Sequence, residues 1–338
     1  MVDGSTASPR GRGGEGGAAD AHSPLESIGG TPLITVEGVF VKLECANPGG
    51  SVKDRIARFL LGEAARRGEL HPGDTVVECT SGNTGIALAW VGRQLGYRVL
   101  IFMPEHMSRE RVRMLEQLDA EVRLTPKAIG FAGAIELRDA YRGRPGYYVS
   151  DQFSNEDNSR CHRDTTGAEL IAQLRARGRP RVGCFVAGVG TGGTLMGIGR
   201  ALRAVMPEVQ RVAVEPEESA VLSGGPPGDH GIMGIGDGFV PPLVDMTEVD
   251  QVIRVGTDEA HAAAERIRRD HGYCVGRSSG ANLVAALRLK AQGATVATVF
   301  PDCANRYVSL GLEPPGTPGV RCAMGSLCAA RTRTMLDG

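Results

Sequence analysis

From about residue 38 onward, short runs of β-branched and aliphatic residues alternate with stretches whose apolar positions recur every three or four residues. The first pattern belongs to strands covered on both faces, the second to helices lying against them. Strands are predicted over 39–43, 75–78, 98–103, 121–124, 147–150, 184–189, 211–214, 251–255 and 295–300, and helices over 51–67, 85–95, 108–118, 131–141, 194–205 and 258–269. This alternation argues for an α/β fold with helices flanking mainly parallel sheet. Nine strands exceed one ordinary small sheet, so two open, twisted, mainly parallel sheets are expected, in two lobes with a cleft between them. Residues 216–249 break the alternation with Gly- and Pro-rich sequence, the composition of a moving active-site loop. The Gly-rich residues 1–23 lack the apolar core of a secretory signal and read as a flexible tail. Residues 313–338 have no periodicity and read as a second tail.

Composition narrows the function. Formal charge is −1, from 38 basic and 39 acidic residues, which gives no electrostatic footprint for nucleic acid or an anionic membrane. No apolar run approaches the roughly 20 residues of a membrane span, so a soluble protein is expected. The eight cysteines are scattered without a C-x-x-C pair or a Cys/His cluster. They read as thiols of a reducing, cytoplasmic compartment, with no metal site. Arg175, Arg177, Arg179 and Arg181 surround a Gly178/Pro180 break and read as a solvated loop.

Four segments carry candidate chemistry. Gly188-Val189-Gly190-Thr191-Gly192-Gly193-Thr194 takes a strand through a glycine-rich turn into a helix, where backbone N–H groups and the helix dipole suit a phosphate. Gly188, Gly190 and Gly193 also satisfy G-x-G-x-x-G, with Glu215 where a ribose-binding acid would stand, so a dinucleotide competes for this turn. Thr80-Ser81-Gly82-Asn83-Thr84-Gly85 also joins a strand to a helix and is rich in donors suited to a carboxylate. In Asn47-Pro48-Gly49-Gly50-Ser51-Val52-Lys53, Ser51 is a candidate N-cap and Lys53 falls in the first helical turn. The field of the helix N-terminus, with desolvation, lowers a lysine pKa and favours a nucleophilic amine; a surface lysine whose stem packs is the alternative. In Val275-Gly276-Arg277-Ser278-Ser279, read as a strand end before a helix, either serine can simply be a cap.

Together these segments resemble the cysteine synthase family of pyridoxal-phosphate enzymes, which includes O-acetylserine sulfhydrylase and the core of cystathionine β-synthase. The resemblance runs from Ser27-Ile28-Gly29-Gly30-Thr31-Pro32-Leu33 to Pro301-Asp302-Cys303-Ala304-Asn305-Arg306-Tyr307, most of the chain. It takes in Met103-Pro104-Glu105-His106-Met107-Ser108, Asp151-Gln152-Phe153-Ser154-Asn155, Thr165-Thr166-Gly167 and Gly234-Ile235-Gly236. It implies a fold-type II, tryptophan synthase β-like architecture. Residues 24–46 and 157–312 would form a large cofactor domain, and 47–156 a small, mobile substrate domain. The cofactor would be pyridoxal 5′-phosphate, bound by Lys53 as Schiff-base lysine, Asn83 at the ring hydroxyl, Gly190, Thr191, Gly192, Gly193 and Thr194 at the phosphate, and Ser278 at the pyridine nitrogen. Thr80, Ser81, Gly82, Thr84, Gln152 and Gly234 would hold the amino-acid substrate. A neutral hydroxyl at the ring nitrogen gives a weaker electron sink than a carboxylate, which favours β-replacement over transamination or racemisation.

The implied reaction is β-replacement on an activated L-serine through an aminoacrylate, with O-acetyl-L-serine as first donor, O-phospho-L-serine as second and L-cysteine as product. A homodimer without nucleic-acid or membrane partners is implied. Arg277, Met233 and Asp237 depart from the family pattern near the expected mouth of the site. They leave open a synthase of another β-substituted alanine, such as 2,3-diaminopropionate or cystathionine. Arg277 is the candidate cation for a phosphate leaving group, although strand alternation would turn it away from Ser278. A NAD-binding oxidoreductase using the 188–193 turn and a non-enzymatic paralogue are the other readings.

Overall fold

The computed structural model describes residues 1, 23–80, 82–105, 109–178 and 181–304. Both tails, apart from Met1 and Ser23, therefore lie outside the described residues, as does Ser81. Among the described residues ten strands, one more than the alternation predicts, fall into the expected two sheets. The larger has the order β1-β2-β10-β7-β8-β9, and the smaller β5-β4-β3-β6. In the larger sheet β2 (Val39–Leu43), β10 (Val296–Phe300), β7 (Cys184–Gly188), β8 (Gln210–Pro216) and β9 (Gln251–Val255) run parallel. Its antiparallel edge is β1 (Leu33–Val36). The smaller sheet, β3 (Thr75–Cys79), β4 (Arg98–Pro104), β5 (Glu121–Thr125) and β6 (Tyr147–Val149), is wholly parallel.

Strand alternation sorts the cores. In the small sheet Val76 and Ile101 face α1 (Lys53–Arg66), α2 (Asn83–Gln94) and α3 (Arg109–Glu116), packing with Leu61, Leu88 and Leu115. The neighbouring Val77, Leu100 and Phe102 face the other way and meet Ala134 of α4 (Gly130–Asp139). In the large sheet one face packs on α8 (Thr257–His271) and α9 (Arg277–Ala291), through Ile267, Leu283 and Leu289. The other packs on α6 (Ala168–Ala176) and α7 (Gly193–Val205), through Leu170, Ile198 and Leu202. Each such fully buried side chain contributes about 1.5–3 kcal/mol over its exposed state.

The structure departs from the sequence expectations at four points. β1 was not foreseen; it is a four-residue edge strand paired back on β2 through Glu37 and Gly38, both at positive φ (49° and 77°). Residues 274–276 are not a strand end: α9 starts at Arg277, so Arg277 and Ser278 are separated by a helical step rather than strand alternation. Gly276 holds the cap position of α9, so neither Ser278 nor Ser279 caps it. At α1 the cap position is Val52, yet the Ser51 hydroxyl still accepts the Lys53 N–H at 3.3 Å.

A buried ionic cluster ties α1 to the large sheet. Glu44 accepts hydrogen bonds from Thr31 (2.7 Å), Asn47 (2.8 Å) and Arg55 (2.7 and 3.0 Å). Arg55 and Lys42 both reach Glu169 of α6 at 2.7 Å. The cluster therefore fixes the helix whose first residue is Lys53.

Candidate active site

Parallel sheets place their ligand sites beyond the carboxyl ends of the strands, and here both sheets open onto one cavity of about 300 Å³. Four helices have a first-turn residue in its wall: Lys53 of α1, Asn83 of α2, Thr194 of α7 and Ser278 of α9. Their N-terminal partial charges make the cavity a strong anion site.

Most of the expected residues meet there. Lys53, Thr80, Gly82, Asn83, Thr84, Gln152, Gly190, Thr191, Gly192, Thr194, Gly234 and Ser278 all line the cavity. Gly193 does not; it lies behind the turn, and a Cβ there would run into the Asn158 carboxamide. Arg277 is also absent from the lining and donates to the Gly231 carbonyl at 3.2 Å. Glu215, the candidate ribose acid, spends its carboxylate on the Leu222 amide (2.7 Å) and the Ser223 hydroxyl (2.5 Å). The dinucleotide reading thus loses its acid.

The 190–194 turn is built as an anion cradle. The amides of Gly190, Thr191 and Gly192 are buried and donate to no described residue. Orphan donors of this kind at a helix start need a ligand or water. Gly192 sits at φ 86°, and a Cβ on Gly190 would run into the Gly234 carbonyl oxygen. Thr194 lies 3.2 Å from Nε2 of His162, whose Nδ1 is 2.9 Å from the Thr166 hydroxyl. Burial, with the Lys53 and Arg55 cations, holds the His162 pKa well below its usual value. A neutral imidazole therefore backs the Thr194 hydroxyl.

Lys53 is the sole member of the chain's four lysines in the lining. Lys42 is fully buried against Glu169, and Lys290 donates to the Glu37 carbonyl at 2.5 Å. The Lys53 amine has no hydrogen bond or ion pair among the described residues. Burial pushes its pKa down to about 8, opposed by Asp237 and Asp302. In the same lining Thr84 donates to Gln152 Oε1 at 2.6 Å, and Asn83 donates to Asp302 Oδ2 at 2.6 Å. Asn83 is thereby tied to the segment that follows β10.

Sequence reasoning missed three residues here. Arg111 lines the cavity from α3, where its spacing reads as an ordinary polar face. His162 belongs to a π-helical turn, His162–Gly167, that follows α5 (Asp157–Cys161). His230 closes the 230–236 loop: Nδ1 accepts the Ile232 N–H at 3.2 Å, leaving Nε2 to donate to the Gly236 carbonyl at 2.8 Å.

Orphan amides at a helix start, a lone amine of lowered pKa and a hydroxyl at a further helix start fit a phosphorylated aldehyde cofactor. The comparisons agree: residues 25–302 match the pyridoxal-phosphate dependent enzyme family, and the chain belongs to it. It is an enzyme of the cysteine synthase type, its cofactor is pyridoxal phosphate, and its chemistry is β-replacement. A cysteine synthase of Staphylococcus aureus is 43% identical over 307 residues, covering 86% of this chain and 98% of the relative. Among solved structures, an O-acetylserine dependent cystathionine β-synthase from Helicobacter pylori aligns at TM-score 0.81 and 36% identity, over 86% of this chain and 98% of that one. A hydrogen sulfide-producing enzyme from Fusobacterium nucleatum aligns at 0.80 and 37%, over 85% and 90%.

Proposed function

We propose that the enzyme converts O-acetyl-L-serine and sulfide to L-cysteine, with O-phospho-L-serine as second donor. The observation that carries this reading is the meeting of Lys53, an orphan-amide cradle and a donor-rich turn in one cavity. Lys53 holds the cofactor through Nζ, the 190–194 turn and the Thr194 hydroxyl take its phosphate, Asn83 meets its ring hydroxyl and Ser278 its pyridine nitrogen. When bound, the cofactor supplies an electron sink that acidifies the substrate Cα–H bond. Thr80, Ser81, Gly82, Thr84, Gln152 and Gly234 orient the amino acid by its carboxylate. Lys53 Nζ, with its pKa near 8, takes the Cα proton and later returns one to the same carbon. Residues 47–156, which contain the whole small sheet, move as the substrate-closing domain, and the enzyme works as a cytoplasmic homodimer.

One observation favours the second donor. Arg111 lines the cavity, and a guanidinium is the natural partner of a phosphate leaving group. Sulfide with each donor, followed by mass spectrometry of the product, tests both. Cysteine should form with a higher kcat/KM from O-acetyl-L-serine. A preference for O-phospho-L-serine that Arg111→Ala abolishes would reverse the order of donors, and cysteine from neither would end the reading.

A further inference from the structure

The cavity holds a second ionisable group that donor chemistry leaves unused. Asp237 follows the Gly234-Ile235-Gly236 turn, lines the cavity and is open to it. Its carboxylate is the foremost counter-charge to the Lys53 amine, ahead of Asp302. It accepts no hydrogen bond from any described residue. Its Oδ2 lies beside the cradle, 3.7 Å from the point a Gly190 Cβ would occupy. A carboxylate there repels the substrate carboxylate and the phosphate alike, so it serves neither. Nor does it tie down the loop, a task performed by His230.

We propose that Asp237 is a catalytic acid–base group for the nucleophile, accepting the proton of a neutral H–X, a thiol or water, as X bonds to the substrate Cβ. This rests on the β-replacement reading above and deepens it by naming the nucleophile class. The X–Cβ bond forms while X–H breaks, and that proton passes to an Asp237 carboxylate oxygen. Cα receives the proton held on Lys53 Nζ. Asp237 then releases its proton to solvent, so H–X has added across the Cα–Cβ unsaturation left by the leaving group, with no change of oxidation state. Two titratable groups face Asp237, Lys53 from α1 and His230 from its own loop. Desolvation raises the Asp237 pKa above the usual carboxylate range, against the pull of both. A raised pKa makes it a stronger base than an ordinary aspartate. An acid and a base set apart by their environments in one cavity is the arrangement acid–base catalysis requires.

The test uses holoenzyme and the Asp237→Asn and Asp237→Ser variants. Acetate released on mixing with O-acetyl-L-serine reports the first half; thioether formed on a chase with 2-mercaptoethanol reports the second. At pH 6.5 the ratio of second-half to first-half rates should fall by about 10²–10⁴-fold in both variants. It should recover about tenfold per pH unit toward the pKa of the free thiol. A separate readout needs no turnover: in the protein freed of cofactor, Asp237→Asn should lower the Lys53 pKa followed by pH-dependent amine labelling. A ratio that stays at the wild-type value, an equal loss in both halves, or an unmoved Lys53 titration each overturns the assignment. Wild-type enzyme that releases no acetate instead overturns the β-replacement reading, and the assignment falls with it.

Discussion

Gly190→Ala isolates the contact on which the phosphate cradle depends. Gly190 is not at positive φ, so alanine suits its backbone and the perturbation is one methyl group. That methyl would run into the Gly234 carbonyl oxygen, a backbone atom that cannot rotate away. The 230–236 loop cannot easily retreat either, because His230 staples it and the Gly236 amide donates to the Val189 carbonyl at 2.9 Å. Overpacking of this kind costs about 1–3 kcal/mol. If the turn yields, its orphan amides lose their common aim, and cofactor affinity should fall by roughly 5- to 150-fold at about 1.4 kcal/mol per tenfold. Titrating cofactor-free protein with pyridoxal phosphate, read by visible absorbance, measures this. Gly62→Ala in α1 is the control: nothing lies within 4 Å of its added carbon, and it should be neutral or more stable by about 0.5–1 kcal/mol. A Gly190→Ala protein that binds cofactor as tightly as wild type would refute the cradle.

Three other outcomes are expected. Thr84→Ala and Gln152→Ala should each weaken amino-acid binding by about 1.5–3 kcal/mol with cofactor content retained; lost cofactor and unchanged substrate affinity would mean the two turns are assigned backwards. Glu44→Gln removes the buried carboxylate that holds Arg55 and should cost about 3 kcal/mol in urea unfolding, whereas a loss below about 1 kcal/mol would make the cluster incidental. Burial pushes Glu169 upward, but Arg55 and Lys42 overcome it and hold its pKa at about 2 against an ordinary 4.5. A depressed carboxylate stabilises the fold fully above pH 4.5 and loses that contribution as pH falls toward 2. The melting temperature should drop across that window in wild type and less in Glu169→Gln; equal slopes would contradict the coupling.

What the sequence could reveal followed from how regular each signal was. Parallel strands buried on both faces leave apolar runs such as Val76-Val77 and Val99-Leu100-Ile101-Phe102, which are hard to misread. β1 leaves only Leu33-Ile34-Thr35-Val36 behind a proline, too short to stand out. The segment from α5 through the π-helical turn buries Asp157, Asn158, Ser159, His162 and Thr166, so its inward face is polar and no apolar period marks it as helix. A glycine-rich turn and a donor-rich turn each announced an anion site. That both open on one cavity with Lys53 between them, and that Asp237 faces the lysine while Arg277 turns to Gly231, depends on how two sheets meet.

The central claim is that Lys53 carries the cofactor between these two turns. Borohydride reduction of the purified yellow protein, digestion and mass spectrometry should place a pyridoxyl group on the peptide containing Lys53, and Lys53→Ala should take no covalent label and make no cysteine. A label on Lys42, Lys127 or Lys290, or a Lys53→Ala protein with wild-type turnover, would contradict it.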